Sequence, residues 1–315
     1  MRLIRGLHNL RDRDRGCVAT IGNFDGVHLG HRAVFARLKE RGQALGLPAT
    51  VITFEPQPME YFIPDAAPAR LTRLREKIAA IACTGIERIM LLKFGARLAG
   101  MDARGFADRL LVQGLGVRFL LVGDDFRFGH QRSGDFQLLS RIGVEQNFAV
   151  ENLHTVKQSD ERISSTRIRE AIARGDLEQA RRLLGRPYSI PGPRRTRRQA
   201  RAYHRLPDRK YPFASARESS DRCACRACAW SWRTTAAGGG KRRQPADPGG
   251  TEPRLEVHLF DFEREIYGAH LEVEFQLKLR EEQRFESFDA LKQQIARDAA
   301  AAKQYLADRM RTSQQ

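Results

Sequence analysis

No stretch of these 315 residues approaches the roughly 20 consecutive apolar positions that a membrane-spanning helix needs, so the chain reads as soluble. Nor does an apolar run of signal length separate Met1-Arg2-Leu3-Ile4-Arg5-Gly6 from the charged Arg11-Asp12-Arg13-Asp14-Arg15, which predicts a cytoplasmic protein. Cysteine is scarce: five, an odd number, in a chain long enough for two ordinary cores. That argues for reduced thiols rather than a disulfide framework. Acidic residues are also few, 38 Asp and Glu against 55 Lys and Arg, for a net charge of +17. The surplus invites a nucleic-acid reading, but it is local. Between Arg194 and Arg243 stand fifteen Lys or Arg and three acids (Asp208, Glu218, Asp221), a surplus of twelve that leaves +5 for the rest. Ordinary soluble enzymes carry that much.

What is present is alternation. From Cys17 to about Gly185, strands are expected at 17–22, 50–54, 88–94, 117–122 and 148–156. Helices are expected between them at 29–45, 73–83, 103–113 and 136–141, followed by 165–174 and 177–184. The first helix has apolar Val34, Leu38 and Leu45 on one side, and Gly46 and Pro48 stop it. Such alternation predicts an α/β fold, a parallel sheet with helices on both faces, with ligands beyond the carboxyl ends of the strands. From Leu255 the pattern changes. Strands are expected at 255–262 and 270–279 around a turn at Tyr267-Gly268. An amphipathic helix follows from about 288 to 309, with Leu291, Ile295 and Tyr305 on its apolar stripe.

Chemistry concentrates where the first expected strand ends. Gly22-Asn23-Phe24-Asp25-Gly26-Val27-His28-Leu29-Gly30-His31 sets glycines, two histidines and a helix start where backbone amides and imidazoles can meet phosphates. A polar strand-to-helix loop is the plain alternative. Three further segments weigh against it: Thr53-Phe54-Glu55-Pro56-Gln57-Pro58, Val122-Gly123-Asp124-Asp125-Phe126-Arg127-Phe128-Gly129 and Ile163-Ser164-Ser165-Thr166-Arg167-Ile168-Arg169. In the last, hydroxyls at a helix start can cap the helix or bind phosphate, and Arg167 or Arg169 adds charge. A simple N-cap with solvated arginines is the alternative there.

Together these motifs resemble the bacterial bifunctional riboflavin kinase/FMN adenylyltransferase family, the FAD synthetases, over nearly all of residues 1–192 and 249–309. The resemblance implies a Rossmann-like nucleotidyltransferase domain over 1–185, whose His-x-Gly-His signature is His28-Leu29-Gly30-His31. It implies transfer of AMP from ATP to FMN, with Mg²⁺ accompanying ATP and its protein ligands unassigned. ATP contacts are implied at Gly22, Asn23, Phe24, Asp25, Gly26, His28, Gly30, His31, Ser164, Ser165, Thr166 and Arg167, with His28 and His31 catalytic. Phe54, Pro56, Asp124, Asp125, Phe126 and Phe128 are implied on the flavin side. Residues 186–309 resemble the riboflavin kinase, an antiparallel β-barrel, here followed by a terminal helix, with 310–315 a tail. Its entrance is Gly185-Arg186-Pro187-Tyr188-Ser189-Ile190-Pro191-Gly192, and its exit Arg254-Leu255-Glu256-Val257-His258-Leu259-Phe260-Asp261-Phe262. By the resemblance Glu256 is the general base for the riboflavin 5′-hydroxyl and Arg280 a flavin contact, although strand glutamates are more often simply solvated. ATP, FMN and riboflavin are thus the partners expected, with neither nucleic acid nor membrane; a homo-oligomer is compatible with these features. The rivals are a nucleotidyltransferase acting on pantetheine phosphate or transferring cytidylyl groups, and a nucleic-acid-binding protein using the basic segment.

From Pro193 to about Pro248 neither strand nor helix periodicity is visible, only Arg pairs, Cys223, Cys225 and Cys228, Trp230, Trp232 and Gly238-Gly239-Gly240. A disordered basic tail is one reading. A metal site is another, though no fourth ligand stands at finger-like spacing. The third is translation out of frame. The family's Gly-Phe-Pro-Thr-Ala-Asn motif, whose Thr and Asn serve Mg-ATP, is missing. Yet Tyr203-His204-Arg205-Leu206-Pro207-Asp208-Arg209-Lys210-Tyr211, read one base later, yields Thr-Ile-Gly-Phe-Pro-Thr-Ala-Asn-Ile. The first base of every new codon is forced, and each fits. Arg242-Arg243-Gln244-Pro245 can likewise yield Val-Ala-Asn-Leu. A kinase module impaired as written is therefore expected. Sequencing the gene checks this: the expected codons over Tyr203–Tyr211 are TAC CAT CGG CTT CCC GAC CGC AAA TAT. Synonymous codons that cannot spell the shifted motif would sink the idea.

Overall fold

Cys17, Ala19 and Ile21 face one side of their strand and Val18 the other, and both sides are buried. A strand apolar on both faces must be covered on both, the condition for a parallel sheet between two helical layers. The computed structural model describes residues 1–153, 157–158, 161–191, 215–218, 257, 260, 271–281 and 283–312. By its contacts the chain divides into two units, Met1–Glu170 with Leu183–Gly185, and Ala171–Arg182 with Arg186–Gln315.

In the first unit six strands form one all-parallel sheet: β1 (Arg2–Arg5), β2 (Cys17–Ile21), β3 (Ala49–Glu55), β4 (Arg88–Lys93), β5 (Val117–Gly123) and β6 (Ala149–Leu153). Their order is β1-β4-β3-β2-β5-β6. After β2 the chain builds outward through β3 and β4, then returns to lay β5 against the other side of β2. The order of travel therefore reverses between β2 and β5, and the crevice beyond their carboxyl ends is where such sheets bind ligands. Both loops that leave those two strands carry motifs singled out above.

Strand β1 was not anticipated. Arg2-Leu3-Ile4-Arg5 is short and charge-flanked, a composition suited to an edge strand. Asp14 holds it, with an oxygen 2.5 Å from the Arg2 guanidinium.

Helix α1 (Leu29–Leu45) has the bounds its pattern predicts, ending at Gly46 in left-handed conformation (φ 63°). Its covered face differs: Phe35 and Leu38 are fully buried, whereas Leu45 is 51% exposed. Gly42 is the last residue of α1 that the sheet covers, and a Cβ there would lie 2.7 Å from the Leu47 carbonyl. Leu45 lies past that cover. Phe35 and Leu38 join Ile81 of the helix Leu74–Ala82 over Val18, Val51, Ile89 and Leu121. On the opposite face Leu110, Leu111, Leu115, Leu139 and Ile142 cover Ala19, Ile52, Met90 and Leu120. The helix expected at 103–113 is a short α-helical turn, Ala103–Phe106, continued as a π-helix, Ala107–Leu115. The helices Ser165–Arg174 and Leu177–Leu184 match their predicted bounds.

In the second unit Leu271–Glu274 pairs antiparallel with Ser189–Pro191 on one side and Ser215–Glu218 on the other. The last of these lies inside the segment without side-chain periodicity; ladder hydrogen bonds are made by backbone and do not require it. Tyr188 and Phe275 stack at 5.5 Å, and the terminal helix Phe288–Thr312 buries Ala302 and Leu306. The strand expected at 255–262, with its turn, lies outside the described residues apart from 257 and 260.

Because Phe35 is fully buried between α1 and the sheet, Phe35→Ala should destabilise the protein by about 3–5 kcal/mol. Urea denaturation followed by circular dichroism measures it.

Candidate active site

The loop leaving β2 turns through three left-handed residues, Phe24 (φ 49°), Gly26 (φ 80°) and Val27 (φ 44°). Glycine adopts this region freely; a β-branched valine does so only under constraint. The constraint is Asp25. Its buried carboxylate accepts from the backbone N–H of Leu71 and Thr72 (both 2.9 Å), from Thr72 Oγ1 (3.0 Å) and from the Arg169 guanidinium (2.6 Å). The Gly26 N–H donates to Thr72 Oγ1 at 3.0 Å. Ser165 Oγ donates to the Asp25 carbonyl at 3.0 Å, tying the second motif to the first.

Upstream, the Asn23 carbonyl accepts from Thr53 Oγ1 (3.3 Å) and Lys77 Nζ (3.0 Å), leaving the Asn23 residue itself exposed. Phe24 is buried against Phe35 at 5.0 Å and meets His31 edge-on at 5.2 Å. A Cβ on Gly22 would come within 2.9 Å of the Phe24 ring.

His28 caps α1: its Nδ1 accepts from the His31 N–H at 3.3 Å. An Nδ1 that accepts carries no proton, so the ring proton is assigned to Nε2, a donor. The two imidazoles stack with centroids 3.6 Å apart and 19° between planes. Burial, then His28, then Lys77 hold His31 well below the ordinary histidine range, so at neutral pH it is an uncharged donor or acceptor. Its Nδ1 is buried and unbonded among the described residues. Gly30 permits this arrangement, since a Cβ would lie 3.1 Å from the His28 ring and 3.5 Å from the Ile163 carbonyl. That second approach seats the start of the helix Ser165–Arg174 beside the start of α1. Ser164 Oγ accepts the Arg167 N–H at 3.3 Å, and Thr166 is exposed. Two helix N-termini and an imidazole pair thus converge beyond β2, a setting for a polyphosphate.

The expected ATP contacts therefore fall into two groups. Gly22, Asn23, Gly30, His31, Ser164, Ser165, Thr166 and Arg167 lie at or near the surface of this crevice, with the His28 ring stacked beneath His31. Phe24, Asp25 and Gly26 are buried and engaged inward, shaping the loop. Arg169 is likewise engaged, donating to Asp25 and to the Ala69 carbonyl (2.6 Å), so Arg167 is the better placed of the two arginines.

Of the residues expected on the flavin side, Phe54 is nearly buried and meets Phe94 edge-on at 5.7 Å, beside Pro56. Phe94 in turn contacts Tyr61 and Phe62, both at 5.6 Å. Tyr61 and Phe62 are exposed, as are Met59 and Ile63. Phe128 is buried, tilted against Phe106 and stacked on half-buried Phe126, while Asp124 and Asp125 are exposed, Asp125 paired with Arg162. Sequence reasoning missed Lys77, Thr72, Phe94, Tyr61 and Phe62. The apolar run Met59 to Ile63 was the available signal for the last two; the others needed the fold.

Comparison with known proteins decides the family. A model for FAD synthetase matches residues 10–167, and one for riboflavin kinase matches 229–306. A bifunctional riboflavin kinase/FMN adenylyltransferase of Pseudomonas fluorescens is 47% identical over 310 residues, 96% of this chain and 97% of that protein. The one from Escherichia coli K12 is 43% identical over 315 residues, 97% of this chain and 98% of that protein. The chain belongs to the bifunctional riboflavin kinase/FMN adenylyltransferase family. A solved structure of a macrolide-efflux protein from Streptococcus pneumoniae shares the fold at TM-score 0.69 and 24% identity, over 96% of this chain and 98% of that one.

With both catalytic modules of the FAD synthetase matched, the family's activities are adenylyl transfer to FMN and phosphorylation of riboflavin, and neither the other nucleotidyltransferases nor a nucleic-acid-binding role is favoured. The substrates are small molecules: ATP, FMN and riboflavin. No helix among the described residues is long and apolar enough to cross a membrane. In the kinase module Glu256 lies outside the described residues. Arg280 donates to Asp298 of the terminal helix at 2.8 Å and lies over the Phe285 ring. Residues 168–228 fall outside both family models, and the kinase match begins within the 193–248 segment.

Asp25→Ala should strand the Arg169 cation and three buried donors, costing about 3–5 kcal/mol of stability. It should lower FAD formation by more than the folded fraction falls, because the crevice loop loses its anchor. Thermal denaturation beside an initial-rate assay separates the two effects.

Proposed function

We propose that residues 1–185 form the adenylyltransferase of a soluble cytoplasmic FAD synthetase, and that the kinase module, as written, phosphorylates riboflavin weakly or not at all. The observation that carries the first half is the stacked His28–His31 pair lying where two helix N-termini meet at the sheet's reversal point. In the reaction an FMN phosphate oxygen bonds to the α-phosphorus of ATP as the bond to the α–β bridging oxygen breaks, and pyrophosphate leaves. Positioning and charge stabilisation supply most of such an acceleration. His28 Nε2–H and neutral His31 donate to the phosphates. The amides opening α1, with Ser164, Ser165, Thr166 and Arg167, hold the triphosphate and the departing pyrophosphate. The Phe54, Phe94, Tyr61 and Phe62 cluster offers the flat apolar surface an isoalloxazine needs, with Pro56 and the Asp124 to Phe128 loop at the flavin's border.

Mg²⁺ enters as a companion of ATP. Among the described residues no group of three or more His, Cys, Asp or Glu side chains stands together as a metal site.

For the second half, the Thr and Asn of the kinase nucleotide loop are absent from 193–248, which reads as out-of-frame sequence between barrel strands. The three antiparallel strands of the second unit are compatible with a barrel over 186–309.

Product analysis with Mg-ATP tests both halves, supplying FMN to one tube and riboflavin to the other. FAD from FMN with no phosphorylated flavin from riboflavin is expected. FAD from both tubes would overturn the kinase proposal, and no FAD from FMN the adenylyltransferase.

A further inference from the structure

Among the described residues Lys77 is the one lysine or arginine that is buried, and neither the motifs nor the site residues above account for it. It projects from the helix Leu74–Ala82 beneath the Gly22–Gly26 loop. Its Nζ donates to the Asn23 carbonyl at 3.0 Å and reaches Thr53 Oγ1 at 3.5 Å, both neutral acceptors. The carboxylates facing it have other partners. Asp25, in the loop, is held by Arg169 and Thr72; Glu55 of β3 and Glu60 of the helix Pro58–Phe62 are held by Arg70. A buried ammonium is costly unless something requires its charge, and a neutral donor would have satisfied the Asn23 carbonyl as well.

We infer that Lys77 is a positioning residue for adenylyl transfer: it fixes the Asn23 carbonyl, hence the left-handed turn at Phe24, and sets a positive charge beneath the phosphate crevice. The inference rests on the adenylyl-transfer reading above. Two observations support it. The Asn23 carbonyl is gripped twice, by Lys77 and Thr53, immediately before the turn. The charge reaches the crevice itself, acting after burial and His28 to keep the His31 imidazole unprotonated. Burial in turn lowers the Lys77 ammonium from the ordinary lysine range, against the raising influence of Glu55, Asp25 and Glu60 and with that of Arg70.

The test compares the full chain with Lys77→Met and Lys77→Gln, measuring melting temperature, kcat and KM for ATP against pH, and the His31 imidazole titration by NMR. Methionine matches the stem without charge, and Thr53 still holds the Asn23 carbonyl, so the fold should persist. Glutamine removes the charge but keeps a donor, on a shorter stem. Both variants should lower kcat roughly tenfold with KM changed less. Both should also raise the His31 pKa, so that the acid limb of the rate profile moves to higher pH. A folded variant with wild-type kcat and an unmoved His31 titration would overturn the inference. So would activity lost only in proportion to folded protein. Failure of the wild-type chain to make FAD from FMN would instead remove the reading on which it rests. If methionine prevents folding, the glutamine variant and its NMR titration decide alone.

Discussion

A single buried carboxylate holds the functional loop in place. Asp25 draws together chain 46 and 144 residues away, at Leu71 and Arg169, and it does so beside two non-glycine residues with positive φ. Such backbone costs on the order of 1–3 kcal/mol per residue. A hydrogen bond to a charged group returns about 1.5–3 kcal/mol, and Asp25 accepts four. The strain at Phe24 and Val27 is therefore sustained by the contacts of the residue between them, with margin for the desolvation of the carboxylate. Without Asp25 the loop has a cheaper conformation available, and the crevice has no fixed wall.

The rest of the site follows from that fixation. Because the loop is held, His28 arrives where it caps α1, and the cap reaction fixes its tautomer. Because His28 is placed, His31 stacks on it one turn later, and two imidazoles at that separation cannot both carry charge. Because Arg169 is consumed by Asp25, the helix Ser165–Arg174 is docked with its hydroxyl-bearing first turn toward the crevice. The sheet order sets the place where all this happens; the carboxylate fixes the loop there.

Much of this was legible in the sequence where a residue's job is local. Helix α1 ends where Gly46 dictates, and the bounds of Ser165–Arg174 and Leu177–Leu184 follow from their caps and apolar spacing. The central strands were visible as apolar runs because both faces are buried. Edge strand β1 was not, since four residues flanked by arginine have no run to show. Asp25 and Phe24 read as nucleotide contacts because motif logic assigns every residue of a motif to the ligand; the structure turns both side chains inward, where they shape the loop backbone. Lys77 was invisible for a different reason. A lysine in an amphipathic helix reads as solvated, and only tertiary packing shows which face the sheet covers.

The same distinction between backbone and side chain bears on the basic segment. Strand Ser215–Glu218 pairs with Leu271–Glu274 through main-chain groups that every residue but proline possesses, so a change of reading frame need not abolish the ladder. What a shifted frame would remove is side-chain chemistry: the Thr and Asn of a nucleotide loop would become Asp208 and Lys210. Charge of one sign on that scale repels itself and resists burial. The adenylyltransferase has no such dependence. Its core residues, its loop anchor and its imidazole pair all come from residues that precede the segment.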